Sequence, residues 1–300
     1  MRWRDSKMRD PVRETIGGVR AELSEKKRRA SRSPGVRAHG RREFKKLFAR
    51  RNSSLYERFM KTTIIRRAEH RGPNLGALAI VYTLLFNLGL YFVVSFRIPE
   101  HPVASTTAVR PYFPGPWESA QTIVTYFQTH PHAVLMCAFL QFGAAIPLGI
   151  FTATIVSRLR FLGVRPAGAD IALFGGIMTA INIAISALVL WVMAYPGIAD
   201  EPAVARAFYY MVFAIGGVGF SVPMGLLLAG ISVPGLMMKL LPNWLIVSGL
   251  ILAAIGELSF FSLVLPGAVF LIPLTRFPSF LWLISAGFTL PKRLSANDSD

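Results

Sequence analysis

Between residues 75 and 96 the chain reads LGALAIVYTLLFNLGLYFVVSF, 22 residues without a charged side chain. No other feature limits the fold as severely. Roughly 20 apolar residues in a helix cross the hydrocarbon core of a bilayer. In hydrocarbon every backbone polar group must find its partner inside the protein, which a helix achieves within its own segment. Further runs of this kind lie at about 133–156, 170–195, 205–231, 243–264 and 266–290. The fold class they predict is all-α: a polytopic transmembrane helix bundle of about six spans. Five spans are clear. The last is interrupted by Pro273, Arg276 and Pro278, and reads as a short interfacial helix (266–276) followed by a short span (277–290).

Composition agrees. Apolar residues make up 53% and charged residues 16%, against roughly 25% charged in a soluble domain, and the mean hydropathy is +0.46. This excludes an ordinary water-soluble enzyme and a disordered chain. Cys137 is the only cysteine, so no disulfide closes within the chain. The first apolar run starts too late and is too long for a cleaved signal peptide, and is expected to act as an uncleaved anchor.

Charge divides the chain. Residues 1–72 hold 23 Lys+Arg and 8 Asp+Glu, a net of +15, out of +17 for the whole. Clusters such as Lys26-Lys27-Arg28-Arg29 have few apolar neighbours, so this segment is expected to be a disordered cytoplasmic tail. One reading is a solvated tail that touches anionic lipid headgroups. Nucleic acid is a weaker candidate partner, because no recognition motif accompanies the charge. A third reading starts translation at Met60, whose MKTTIIRRAEHRGPN forms a short basic lead-in to the first span.

The transmembrane domain occupies 73–292, with a large outer loop at 97–131 and a short C-terminus at 293–300. Arg158, Arg160, Arg165, Lys239, Lys292 and Arg293 fall on the side of the basic tail, while Asp200 and Glu201 fall on the other. The positive-inside rule then makes both termini cytoplasmic. In the outer loop, Trp117, Ala120, Ile123, Val124 and Phe127 stand at helical spacing. They predict a short helix over 117–130, started by Gly115-Pro116. It either lies on the membrane interface or packs as a loop helix.

Inside the membrane, Gly143-x-x-x-Pro147-Leu-Gly149 recurs as Gly219-x-x-x-Pro223-Met-Gly225. The repeat suggests that spans two–three and four–five are related. Proline crowds the carbonyl four residues back, so glycine there gives room to bend. Two such kinks, with Gln141 nearby, are a candidate cavity; the same small residues would also serve close helix packing. Intramembrane polar residues are few: Asn87, Gln141, Asn182, Glu257 and Arg276. Glu257 and Arg276 each stand about 21 Å from the inner ends of their spans, 14 residues away. They are a candidate ion pair.

No enzyme constellation, metal-ligand set or cofactor motif is evident, and His130-Pro-His132 is a weak pair without carboxylate partners. The leading expectation is therefore a non-enzymatic membrane protein with a structural, small-molecule or lipid-handling role. The alternative is a membrane-embedded enzyme acting on lipid, with Glu257 and Arg276 in its site. Oligomeric state is open.

The segments FLQFGAAIPLGIF, SRLRFLGVR, VPMGLLLAGISVPGL, LLPNWLIVSGLILAAIGELS and FPSFLWLISAGFTLPK resemble a family of bacterial multi-pass membrane proteins of unknown function, over about residues 140–292. The resemblance implies a six-helix bundle in the bacterial cytoplasmic membrane, and a start near Met60. It implies no activity and no site residues.

Overall fold

The computed structural model describes residues 70, 72–95, 113–164 and 166–292. The expectations for the tail up to residue 69, for 97–112 and for 293–300 lie outside the described residues. Those described are all helical, without strands. Among the described residues six helices are long and apolar enough to cross a membrane.

The first, α1, spans Leu75–Ser95. Asn74 starts it: its Oδ1 accepts the Gly76 N–H at 3.1 Å, one of the donors a helix leaves unpaired at its start. α2 is the short Ala120–Thr129. α3 runs from Pro131 to Phe161. Gly163 takes φ +86°, a left-handed conformation that suits glycine, and Pro166 then opens α4 (Pro166–Met193). The fourth span consists of α5 (Pro202–Phe213), one π-helical turn (Ala214–Val218) and α6 (Gly219–Met237). The fifth is α7 (Asn243–Leu258), ending in a 3-10 turn at Ser259–Leu263. A second 3-10 turn, Pro266–Phe270, leads into α8 (Leu271–Thr289).

The sixth span is therefore not broken at 276. Pro273 sits in the first turn of α8, where its missing N–H has no helical acceptor to lose. Pro278 stands inside the helix, which continues through it.

Packing follows chain order. α1 packs on α3, α3 on α4, α4 on α6, α6 on α7 and α7 on α8, and α8 returns to α1. The ring encloses one apolar core with residues such as Tyr82, Phe151, Ala172, Phe220, Leu245 and Leu283. Its outward face is apolar too: Leu84 is 63% exposed, Phe139 67% and Leu281 70%. Apolar area on that scale needs a lipid covering.

Glycine sets the close approaches. A Cβ on Gly225 would lie 2.9 Å from the Ala253 carbonyl of α7, and one on Gly256 only 3.0 Å from Gly225 Cα. Gly287 meets the Leu75-Gly76 backbone in the same way. Gly143 and Gly149 differ, since a Cβ on either would meet nothing within 4 Å. The two halves of the sequence repeat thus have unlike surroundings.

The ends of the described membrane domain meet. The His70 N–H donates to the Lys292 carbonyl at 3.0 Å. His70 Nε2 lies 3.0 Å from Ser157 Oγ, and Arg158 Nη1 lies 3.5 Å from the Leu290 carbonyl. Burial, followed by the nearby Arg158 guanidinium, holds the His70 imidazole below its ordinary pKa of 6.5. Both ends of the domain therefore lie on one side.

The opposite side is closed by α2. Its residues Ile123, Val124, Tyr126 and Phe127 are buried, and Ile123, Tyr126 and Phe127 share a cluster with Tyr209 and Met193. The apolar face of the helix is thus packed on the protein. The helix starts later than its spacing predicts. Ser119 Oγ accepts the Thr122 N–H at 3.1 Å and caps the helix there. Gly115-Pro116 belongs to a preceding turn, with the Glu118 N–H donating to the Gly115 carbonyl at 3.1 Å. Trp117 is left outside the helix, 62% exposed.

Candidate functional site

The π-helical turn is the irregular point of the bundle. One residue more per turn displaces the backbone and leaves carbonyls without their usual helical donors. Three side chains from neighbouring helices bond to carbonyls in or beside it. Ser186 of α4 donates to the Val212 carbonyl at 3.0 Å. Asn182 of α4 donates to the Gly219 carbonyl. That carbonyl lies four residues before Pro223, whose ring nitrogen has no hydrogen to give it. Arg276 of α8 donates to the Gly216 carbonyl.

Beside this turn is a cavity of about 130 Å³. Phe86, Leu90 and Val93 of α1 form one wall, and Gln141 of α3 and Ser186 of α4 contribute polar groups. Phe113 and Tyr209 line the end nearer α2, and Gly216, Gly217, Ile272 and Arg276 complete the wall. Tyr209 is tied to that end by a hydrogen bond from its hydroxyl to the Pro114 carbonyl. Phe113 packs edge-on against it, with ring centres 5.5 Å apart.

Arg276 dominates the chemistry. Its guanidinium carbon lies 4.4 Å from the centre of the Phe220 ring and 5.3 Å from that of Phe86. Such stacking stabilises a cation, more strongly when water is excluded. Among the described residues its one hydrogen bond is to Gly216, and its Nε is buried without a partner. Among the described residues no carboxylate lines the cavity.

The structure does not bring Glu257 and Arg276 into an ion pair. Glu257 faces α6 instead: its Oε1 would lie 3.1 Å from a Cβ on Gly225, and this atom is buried without a hydrogen-bond partner. Similar height on adjacent helices was the basis for expecting the pair. Rotation of each helix about its axis sets the contact, and it aims the two side chains at different neighbours.

The residues expected at a kink cavity fall in different places. Gln141 lines the cavity; Gly143, Pro147, Gly149, Gly219, Pro223 and Gly225 do not. Pro147, Pro223 and Gly225 are buried in helix contacts. The cavity is built instead beside the π turn, whose Gly216-Gly217 pair is the one visible sequence sign of it.

Among the described residues no three His, Cys, Asp or Glu side chains stand together around His130. Its Nδ1 lies 2.8 Å from Thr129 Oγ1, and its ring stacks on Tyr126 with centres 4.9 Å apart.

Six apolar helices closed in a ring define a multi-pass integral membrane protein. No family model, no curated protein and no solved structure matches the chain.

Proposed function

We propose that the protein binds a small molecule inside the membrane, in the cavity beside the π turn, and that it is a binding or carrier protein rather than an enzyme. The observation that carries this reading is the cavity itself: about 130 Å³, close to the roughly 150 Å³ of an apolar protein cavity that takes up benzene. Arg276, Gln141 and Ser186 give it convergent polar groups among apolar walls. The enzyme alternative needs Glu257 and Arg276 in one site, and Glu257 is not among the cavity's lining residues.

The same proposal places the protein in a bacterial cytoplasmic membrane, as a member of the family that residues 140–292 resemble. Its His70–Lys292 end would face the cytoplasm. Arg158, Arg160, Lys239 and Lys292 at that end, against Asp200 and Glu201 at the other, support this orientation. The basic tail would rest on anionic headgroups.

Native mass spectrometry of the full chain, released from detergent, tests the binding role. Wild type should carry a non-covalent adduct smaller than a phospholipid. Leu90→Trp, which places an indole in the cavity, should lose it. A wild-type spectrum without such an adduct overturns the reading.

A further inference from the structure

Among the described residues the cavity holds one cation and no counter-charge. Its described lining carries Arg276 and no Asp or Glu, and no ion pair reaches Arg276 from elsewhere among the described residues. A charge left alone in a low-dielectric interior is expensive unless an opposite charge joins it. The two phenylalanine rings cover the guanidinium face. A guanidinium edge matches a planar, two-oxygen acceptor. Gln141 makes no hydrogen bond among the described residues, so its amide N–H groups remain to be used. The other walls, from Phe86, Leu90, Val93, Ile183 and Leu190, are apolar.

Resting on the binding role proposed above, we propose that the ligand is a monoanion with a compact apolar body, a small aromatic or branched carboxylate, whose carboxylate pairs with Arg276 and is oriented by Gln141. One guanidinium balances one carboxylate. A phosphate monoester, with up to two negative charges, would keep a net charge in the cavity. The volume suits a single ring.

Three probes decide the matter on the full chain in detergent: radiolabelled benzoate, benzyl alcohol and decanoate. Benzoate should bind saturably and more tightly than the other two. Arg276→Gln should weaken benzoate by more than about tenfold, the scale of a charge-assisted hydrogen bond, and leave benzyl alcohol nearly unchanged. Gln141→Leu should weaken benzoate alone, and it removes no hydrogen bond from the fold, so it tests the site even if Arg276→Gln fails to fold. Equal binding of benzoate and benzyl alcohol, indifferent to both variants, overturns the anion assignment and leaves the cavity role standing. Tighter binding of decanoate also overturns it, by assigning the carboxylate to a fatty acid. Binding of none of the three overturns the anion assignment and the binding role together.

Discussion

Asn182 shows how a single side chain offsets a backbone defect. Pro223 cannot donate to the Gly219 carbonyl, and the Asn182 amide from α4 does so instead. Asn182→Leu should therefore cost about 1–2 kcal/mol, the scale of a stranded carbonyl or a lost interhelical bond. The loss should appear as a lower melting temperature in detergent. Pro223→Ala restores an N–H four residues beyond Gly219. In that background Asn182→Leu should cost less than half as much, which a double-mutant cycle reads directly. Equal costs in both backgrounds would mean that the bond to Gly219 contributes nothing. Asn182 was visible in the sequence as a polar residue inside a span, but its partner was not. The donor and the proline are 41 positions apart, and only the rotation of α4 against α6 joins them. Arg276 was visible in the same limited way. Its charge and depth followed from its place in the last span, whereas its contacts with Gly216, Phe86 and Phe220 come from two other spans.

At the level of elements, the two glycine-proline motifs separate by what each glycine touches. Gly225 holds α6 against α7, and a Cβ there would lie 2.9 Å from the Ala253 carbonyl and 3.2 Å from the Glu257 nitrogen. Gly225→Ala must push two backbones apart and should cost about 1–3 kcal/mol. Gly149 meets open space, so Gly149→Ala should be neutral or stabilise by up to about 1 kcal/mol through helix propensity. Thermal unfolding of the two variants side by side checks the pair, and equal effects would deny that α6 and α7 cross at Gly225. Span positions were legible in advance because they depend on length and hydropathy, which each segment carries alone. The π turn was not, because an extra residue in a helix is stabilised by groups elsewhere: Ser186, Asn182 and Arg276 all reach it from other helices. α2 was legible as a helix, while its start was displaced by the cap that Ser119 provides.

For the whole molecule, insertion and ring closure rest on different forces and should respond to different changes. Each span is held across the bilayer by its own apolar length, and orientation by the cationic residues near its ends. Closure of the ring depends on packing between α8 and α1, where lipid competes with protein on nearly equal terms and small residues allow close approach. Gly287 lies against the facing backbone: a Cβ would lie 2.7 Å from the Gly76 nitrogen. Gly287→Leu should therefore separate α8 from α1 and lower the melting temperature by more than about 5 °C, about 2 kcal/mol on the scale of soluble domains of this size. It should leave topology untouched. In both the parent and the variant, a reporter fused after Asp300 should be active only in the cytoplasm, and one inserted near Thr106 only outside. A reporter after Asp300 that is active outside would overturn the orientation proposed for the six spans. An unchanged melting temperature would show that α8 needs no close contact with α1, and the bundle would then be held by the other five packed pairs.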